Sequence, residues 1–165
     1  MSQKILVSIV MGSDSDFEVM EESGKLLGEF GVSFEYKITS AHRSPDQAVT
    51  FAKGLLERGI QVVIAGASYS AHLPGVLAAN TIIPVLGVPL DASPLRGIDA
   101  YLSMGQMPPG VPVATVTIGR AGAKNAAFFA VEILALRDEA LKNKLKDYRK
   151  KMADGVEEKD RKLKR

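Results

Sequence analysis

The chain has two histidines, His42 and His72. Each directly follows an alanine in a stretch that reads as a loop, "SAHRSP" (40–45) and "GASYSAHLPG" (66–75). Imidazole is the side chain whose ordinary pKa suits proton transfer near neutral pH. A third polar stretch, "MGSDSD" (11–16), stands between an apolar run and a helical pattern. Gly12 lets backbone approach a ligand closely. Ser13 and the N–H groups after it can cap the helix or hold an anion at its start. Arg43 can add a charge-assisted, bidentate contact to a phosphate. A carboxylate repels phosphate but accepts hydrogen bonds from ribose hydroxyls, which suits Asp14 or Asp16. Together these types describe a sugar-phosphate site with a histidine beside it.

Each residue alone has an ordinary explanation. A loop histidine is commonly solvated, an arginine is commonly a surface charge, and Ser-Pro commonly starts a helix. Other chemistries fit less well. There is no cysteine, hence no thiolate nucleophile, disulfide or Cys-type zinc site. Two histidines in separate loops make a poor metal site. Neither a Walker loop, a G-x-G-x-x-G fingerprint nor a G-x-S-x-G elbow occurs. Acid–base chemistry on a small phosphorylated metabolite remains.

The elements that must position these loops alternate. "KILVSIVM" (4–11) is an apolar, β-branched strand, followed by a helix over 15–30 that Gly31 stops. "FEYKIT" (34–39) alternates as a second strand, and Pro45 opens a helix over 45–58. Strands over 61–66, 84–89 and 112–119 follow, with helices over 74–81, 97–106, 121–136 and 138–152. Apolar strands separated by helices imply a parallel sheet covered on both faces. In such a sheet ligands bind beyond the carboxyl ends of the strands. That rule puts all three polar loops on one edge.

At 165 residues, with 46% apolar and 24% charged, the expectation is one soluble domain, 1–165, with a basic helical tail from about 138. Residues 142–165 hold 11 Lys+Arg and 5 Asp+Glu, against 10 and 14 in the rest. No aromatic interleaving suits the tail to nucleic acid, so it reads as a solvated helix. No signal pattern or membrane-length apolar run is present, which gives a cytosolic expectation. The helix over 121–136 is apolar nearly all round. That calls for cover by a partner subunit or, as the second choice, by residues 138–152 folding back.

"MGSDSD", "SAHRSPD", "IAGASYSAHLPG", "PVLGVP", "QMPPGVPVATVTIG" and "AGAKNAA" resemble, in order, the motifs of the bacterial N5-carboxyaminoimidazole ribonucleotide mutases of purine synthesis (PurE, class I). The similarity runs from about Ile5 to Leu136. It implies a three-layer, flavodoxin/Rossmann-like α/β fold with a five-stranded parallel sheet, a homo-octamer, a ribonucleotide substrate and no cofactor or metal. It also implies an isomerase that moves a carboxylate from an exocyclic nitrogen to imidazole C4. By this resemblance His42 is the general acid/base. Ser13 and Arg43 hold the 5′-phosphate, Asp16 the ribose hydroxyls, and the loop with His72 encloses the carboxylate or trapped carbon dioxide. Gly12, Ser40, Ala41, Gly66, Ser70, Ala71 and Leu73 complete the implied binding set.

The chain departs from that family's pattern in Ser68-Tyr69-Ser70, where Gly-Gly-Ala is usual. Smaller departures are Ser44 for Thr, Met104-Gly105 for Ile-Val and Pro109 for Gly. The alternatives are the sister carboxylase that uses free carbon dioxide and a non-catalytic nucleotide-binding relative.

Overall fold

In the computed structural model residues 4–163 are described; residues 1–3 and 164–165 of the expected single domain lie outside that range. Five parallel strands form the sheet: β1 (Val7–Met11), β2 (Phe34–Ile38), β3 (Val62–Ala67), β4 (Val85–Pro89) and β5 (Ala114–Thr115), in the order β2-β1-β3-β4-β5. Six helices connect and flank them: α1 (Phe17–Phe30), α2 (Pro45–Gly54), α3 (Leu73–Ala78), α4 (Ile98–Gly105), α5 (Gly119–Ala135) and α6 (Glu139–Leu163).

The side-chain alternation of the strands divides the core in two. Val7, Ile9 and Met11 face α1 and α5, where they meet Met20, Leu27, Phe30, Ala126, Ala130 and Val131. Val10, Val63 and Ala65 face α2, α3 and α4, against Ala48, Leu55, Leu77 and Met104. This is the flavodoxin-like order, in which chain direction across the sheet reverses between β1 and β3. The carboxyl ends of β1 and β3 therefore diverge to opposite faces, which opens a crevice between them.

Two glycines are required by this arrangement. Gly31 ends α1 with a left-handed φ of 75°, its N–H bonded to the Gly28 and Leu27 carbonyls. At Gly66 a Cβ would stand 2.4 Å from Met20 Sδ, so its absence lets α1 close on β3.

The first strand starts at Val7 rather than 4 and the third helix ends at Ala78 rather than 81, and three larger expectations change. The fifth strand is two residues long rather than spanning 112–119, because the chain pairs with β4 only at Leu86–Ala114 and Gly87–Thr115. Pro112 supplies no N–H before it, and past Val116 the chain turns into α5. The second helix ends at Gly54 rather than 58, and turns carry the chain to Gly59. The last helix runs to Leu163 instead of stopping at 152.

That last helix answers part of the puzzle of α5. α6 starts with Asp138 Oδ1 accepting the Leu141 N–H at 3.0 Å, then folds back. Tyr148 packs on Phe128 and Phe30, with ring centroids 5.0 and 5.7 Å apart. Arg149 pairs with Glu132 at 2.6 Å, and Lys144 Nζ donates to the Phe30 carbonyl at 2.8 Å. The in-chain cover, ranked second from the sequence, is thus present. It is incomplete: Phe129 stays 41% exposed and Leu136 82%.

Candidate active site

Three loops meet at the carboxyl edge of β1, β2 and β3. The first leaves β1 through Gly12 and forms a single 3₁₀ turn over Asp14–Asp16 before α1. Ser13 is extended and caps that turn. Its Oγ accepts the Ser15 N–H at 3.4 Å, and Asp16 Oδ2 accepts the Ser13 N–H at 3.1 Å. This reciprocal pair is a capping box. Asp14 Oδ1 takes a second bond from the Ser15 N–H at 3.1 Å. Of the two roles open to "MGSDSD", capping is the one the chain's own bonds display.

Asp16 is buried at 7% exposure. Burial pushes its carboxyl above the ordinary aspartate range, while the N–H groups of Ser13 and Gly12 and the Arg43 charge pull the other way. The lost hydration is the largest of these effects.

The second loop follows β2 and is locked by serines at both ends. The Ser44 N–H and Oγ donate to the Ser40 carbonyl at 3.0 and 3.2 Å. The Ser40 N–H returns a bond to Ser44 Oγ, and Ser40 Oγ accepts the Arg43 N–H, both at 3.1 Å. Pro45 then opens α2. The tight turn leaves Ala41 half-buried and throws His42 and Arg43 outward. Arg43 Nη2 reaches the Gly12 carbonyl at 3.4 Å, which joins the second loop to the first. One buried hydroxyl, Thr39 Oγ1, finds no partner among the described residues.

The third loop leaves β3 once the Ala67 carbonyl has accepted the Leu90 N–H at 3.0 Å. Tyr69 takes a left-handed φ of 56°. A bond from the His72 N–H to the Ser70 carbonyl at 2.8 Å closes the turn, and Leu73 and Pro74 begin α3.

The loops bring the two histidines together across 30 residues of sequence: His42 Nε2 lies 2.8 Å from His72 Nδ1. Their rings meet edge to face, with centroids 4.9 Å apart. One nitrogen donates and the other accepts, so the pair holds a single proton between them. Around it lies a cavity of about 570 Å³ lined by Gly12, Ser13, Asp16, Ser40, Ala41, His42, Arg43, Ala67, Ser68, Tyr69, Ser70, His72 and Leu73. A second lobe, of about 410 Å³, shares Gly12, Ser13, Ser40 and Arg43 with it and adds Asp14, Ile38, Thr39, Ser44 and Gln47. The site is thus two-ended: the imidazole pair lines the first lobe alone, and the guanidinium with its serines lines both.

Ten of the twelve residues named from the sequence line this cavity. Gly66 and Ala71 do not. Gly66 lies inside β3 beneath Met20, and Ala71 is buried in the cluster under α2 and α3. Ala67, Ser68 and Tyr69 line the cavity without having been named as binding residues. The period-two alternation of a strand end was the available signal for Ala67, since it faces opposite to Gly66. Among the described residues no three His, Asp or Glu side chains converge to hold a metal ion.

A family model described as AIR carboxylase matches residues 6–155. The N5-carboxyaminoimidazole ribonucleotide mutase of Pyrococcus horikoshii is 52% identical over 162 residues, covering 98% of this chain and 90% of that protein. The protein of the same name from Escherichia coli K12 is 47% identical over 150 residues, covering 91% and 89%. Among solved structures, Treponema denticola PurE superposes with a TM-score of 0.87 at 32% identity, over 97% of this chain and 99% of that one. The order of the strands, the loops at their carboxyl edge and these matches agree: the chain belongs to the AIR carboxylase family.

Proposed function

We infer that this chain is an isomerase, an N5-carboxyaminoimidazole ribonucleotide mutase of purine synthesis. The observation that carries the inference is 52% identity to a protein of that name across nearly the whole of both chains. The two-ended site supports it. Arg43, Ser13 and Ser40 provide charge and donors for the 5′-phosphate, at the end where an anion competes with the long 3.4 Å bond between Ser15 and Ser13. Asp16 turns a carboxylate toward the ribose region. His42 is the general acid/base, and a substrate nitrogen takes the place of His72 as its partner.

The chemistry then runs in two halves. The bond from the exocyclic nitrogen to the carboxylate breaks, its electron pair stays on nitrogen, and His42 protonates that nitrogen. Carbon dioxide stays at the His72 end. C4 attacks it, and His42 takes the C4 proton, which restores both the aromatic ring and its own starting state. No group beyond the chain and substrate enters this scheme.

The site assignments and the assembly belong to the same proposal. A homo-octamer is supported by the apolar side chains that one chain leaves bare, Phe129 at 41%, Leu136 at 82% and Ile82 at 87% exposure. A cytoplasmic site of action follows from a charged phosphate ester as substrate. No helix among the described residues is long and apolar enough to cross a membrane.

The decisive assay offers the purified chain the N5-carboxylated ribonucleotide and, separately, the uncarboxylated one with carbon dioxide at low bicarbonate. The 4-carboxylate is expected from the first alone; turnover of the second alone would make the chain a carboxylase. Light scattering is expected to give an assembly well above the 17.7 kDa chain mass. An active monomer refutes the octamer.

A further inference from the structure

We propose that Tyr69 is a positioning residue of this site: its ring walls the His42–His72 end of the cavity, packs on the planar ring of the substrate, and holds carbon dioxide in place between the two half-reactions. This rests on the function inferred above.

Three observations point to it. First, Tyr69 carries a β-carbon on a backbone with φ 56°. That conformation is costly for a non-glycine residue and persists where its surroundings over-determine it, characteristically at ligand clamps. Here the surroundings are two fixed anchors, the Ala67 carbonyl bonded to Leu90 and the His72–Ser70 bond. Between them Ser68, Tyr69 and Ser70 line the cavity, and Tyr69 is the one of the three with a ring.

Second, packing within the chain does not account for the ring. Phe17, Phe30, Phe34, Tyr36, Phe128 and Tyr148 each pair with another aromatic ring. Tyr69 has no ring partner and no hydrogen bond to its hydroxyl among the described residues, and 54% of it is exposed.

Third, its place is chemically specific. Tyr69 is the one benzenoid ring lining the cavity, and it lines the lobe that holds Ser68, Ser70 and the two histidines but not the second lobe. A flat apolar face suits an imidazole ring, by offset or edge-to-face packing. It also excludes water from the space that carbon dioxide must cross. If the gas escapes after the carbon–nitrogen bond breaks and His42 has protonated the nitrogen, the aminoimidazole ribonucleotide is released uncarboxylated. The partition between that by-product and the 4-carboxylate therefore reports how well the wall holds.

The test uses the full chain and two variants, with both products quantified above the no-enzyme rate. Tyr69→Gly is expected to raise the share of uncarboxylated by-product about tenfold and KM about tenfold, the scale of one lost aromatic contact. Tyr69→Phe is expected to recover both values, because the ring acts and the hydroxyl does not. The melting temperature of Tyr69→Gly is expected to be no lower than the parent's, since glycine accepts this φ. A partition and KM within twofold of the parent overturn the proposal. So does a Tyr69→Phe variant that behaves like Tyr69→Gly, or a Tyr69→Gly variant that melts lower, which would make the ring a packing element. A parent chain that makes no 4-carboxylate refutes the function and this inference with it; a parent that turns over beside an unaltered Tyr69→Gly refutes this inference alone.

Discussion

Replacing His42 by asparagine separates proton transfer from binding. The imidazole is exposed and its one ring–nitrogen bond goes to another exposed side chain, His72, at 2.8 Å. The turn that carries it is held by Ser40 and Ser44, not by the ring. Stability should therefore change by no more than ~0.5 kcal/mol, which is about 1–2 °C in Tm for a chain of this size. Binding should survive too, because Arg43 and Ser13 also line the second lobe, which His42 does not reach. The rate should not. A positioned acid or base contributes ~10²–10⁴-fold, or roughly 2.7–5.5 kcal/mol in the barrier. His42 is used twice, but its two transfers occur in sequence, so the slower one sets kcat and the losses do not multiply. The expected fall in kcat is thus ~10²–10⁴-fold, with product Kd within a few-fold. Product formation followed by absorbance gives the first quantity and calorimetric titration the second. A kcat within tenfold of the parent refutes His42 as the acid/base; a loss carried mostly by Kd reassigns it to binding.

Arg43→Ala removes the guanidinium shared by both lobes, so KM should rise ~10-fold or more, with a smaller change in kcat from looser positioning; an unchanged KM places the phosphate elsewhere. Asp16→Asn tests the buried carboxyl. Because burial raises its folded pKa, the folded chain binds the extra proton, and Asp16 costs stability as pH rises through the unfolded value of about 4 up to the folded one. The asparagine still accepts the Ser13 N–H, so it should melt higher than the parent at pH 7, converge with it at pH 3.5, and lose activity. A lower melting point at pH 7 refutes the sign. Gly122→Ala would put a Cβ 1.7 Å from the Thr117 carbonyl oxygen. Displacing α5 should cost roughly 3 kcal/mol, about 6–12 °C in calorimetry; an unshifted Tm refutes the close approach.

The parts of the fold that could be read in advance are those where local pattern and tertiary role coincide. β1 is a β-branched run buried along all five residues, and α1 carries its own stop at Gly31. β5 could not be read. "PVATVTIG" has strand composition, yet its pairing is limited by where β4 lies and by the turn into α5, both long-range facts. The far half of α6 was hidden for another reason: its charged residues show no face to bury. In the site, the rule for parallel sheets placed the three loops on one edge. Strand order decides which loops flank the crevice, and that order leaves no mark in composition. The 2.8 Å approach of His42 to His72 and the inward places of Gly66 and Ala71 depend on it.

The position of β1 bears on how the chain can be made. It is synthesised before both of its neighbours, yet in the sheet it lies between β2 and β3 and pairs with both. Its ladder stays at least half-empty until Ala67 has been synthesised. At about 5–20 residues per second that interval lasts roughly 3–11 s. Throughout it "VSIVM", fully buried in the finished sheet, has at least one edge open and no α5 to cover it. Such a segment is the kind that pairs with another copy of itself. Nascent chains of this protein accordingly have their period of greatest aggregation risk before residue 67, and slowing translation upstream of β3 should lengthen it.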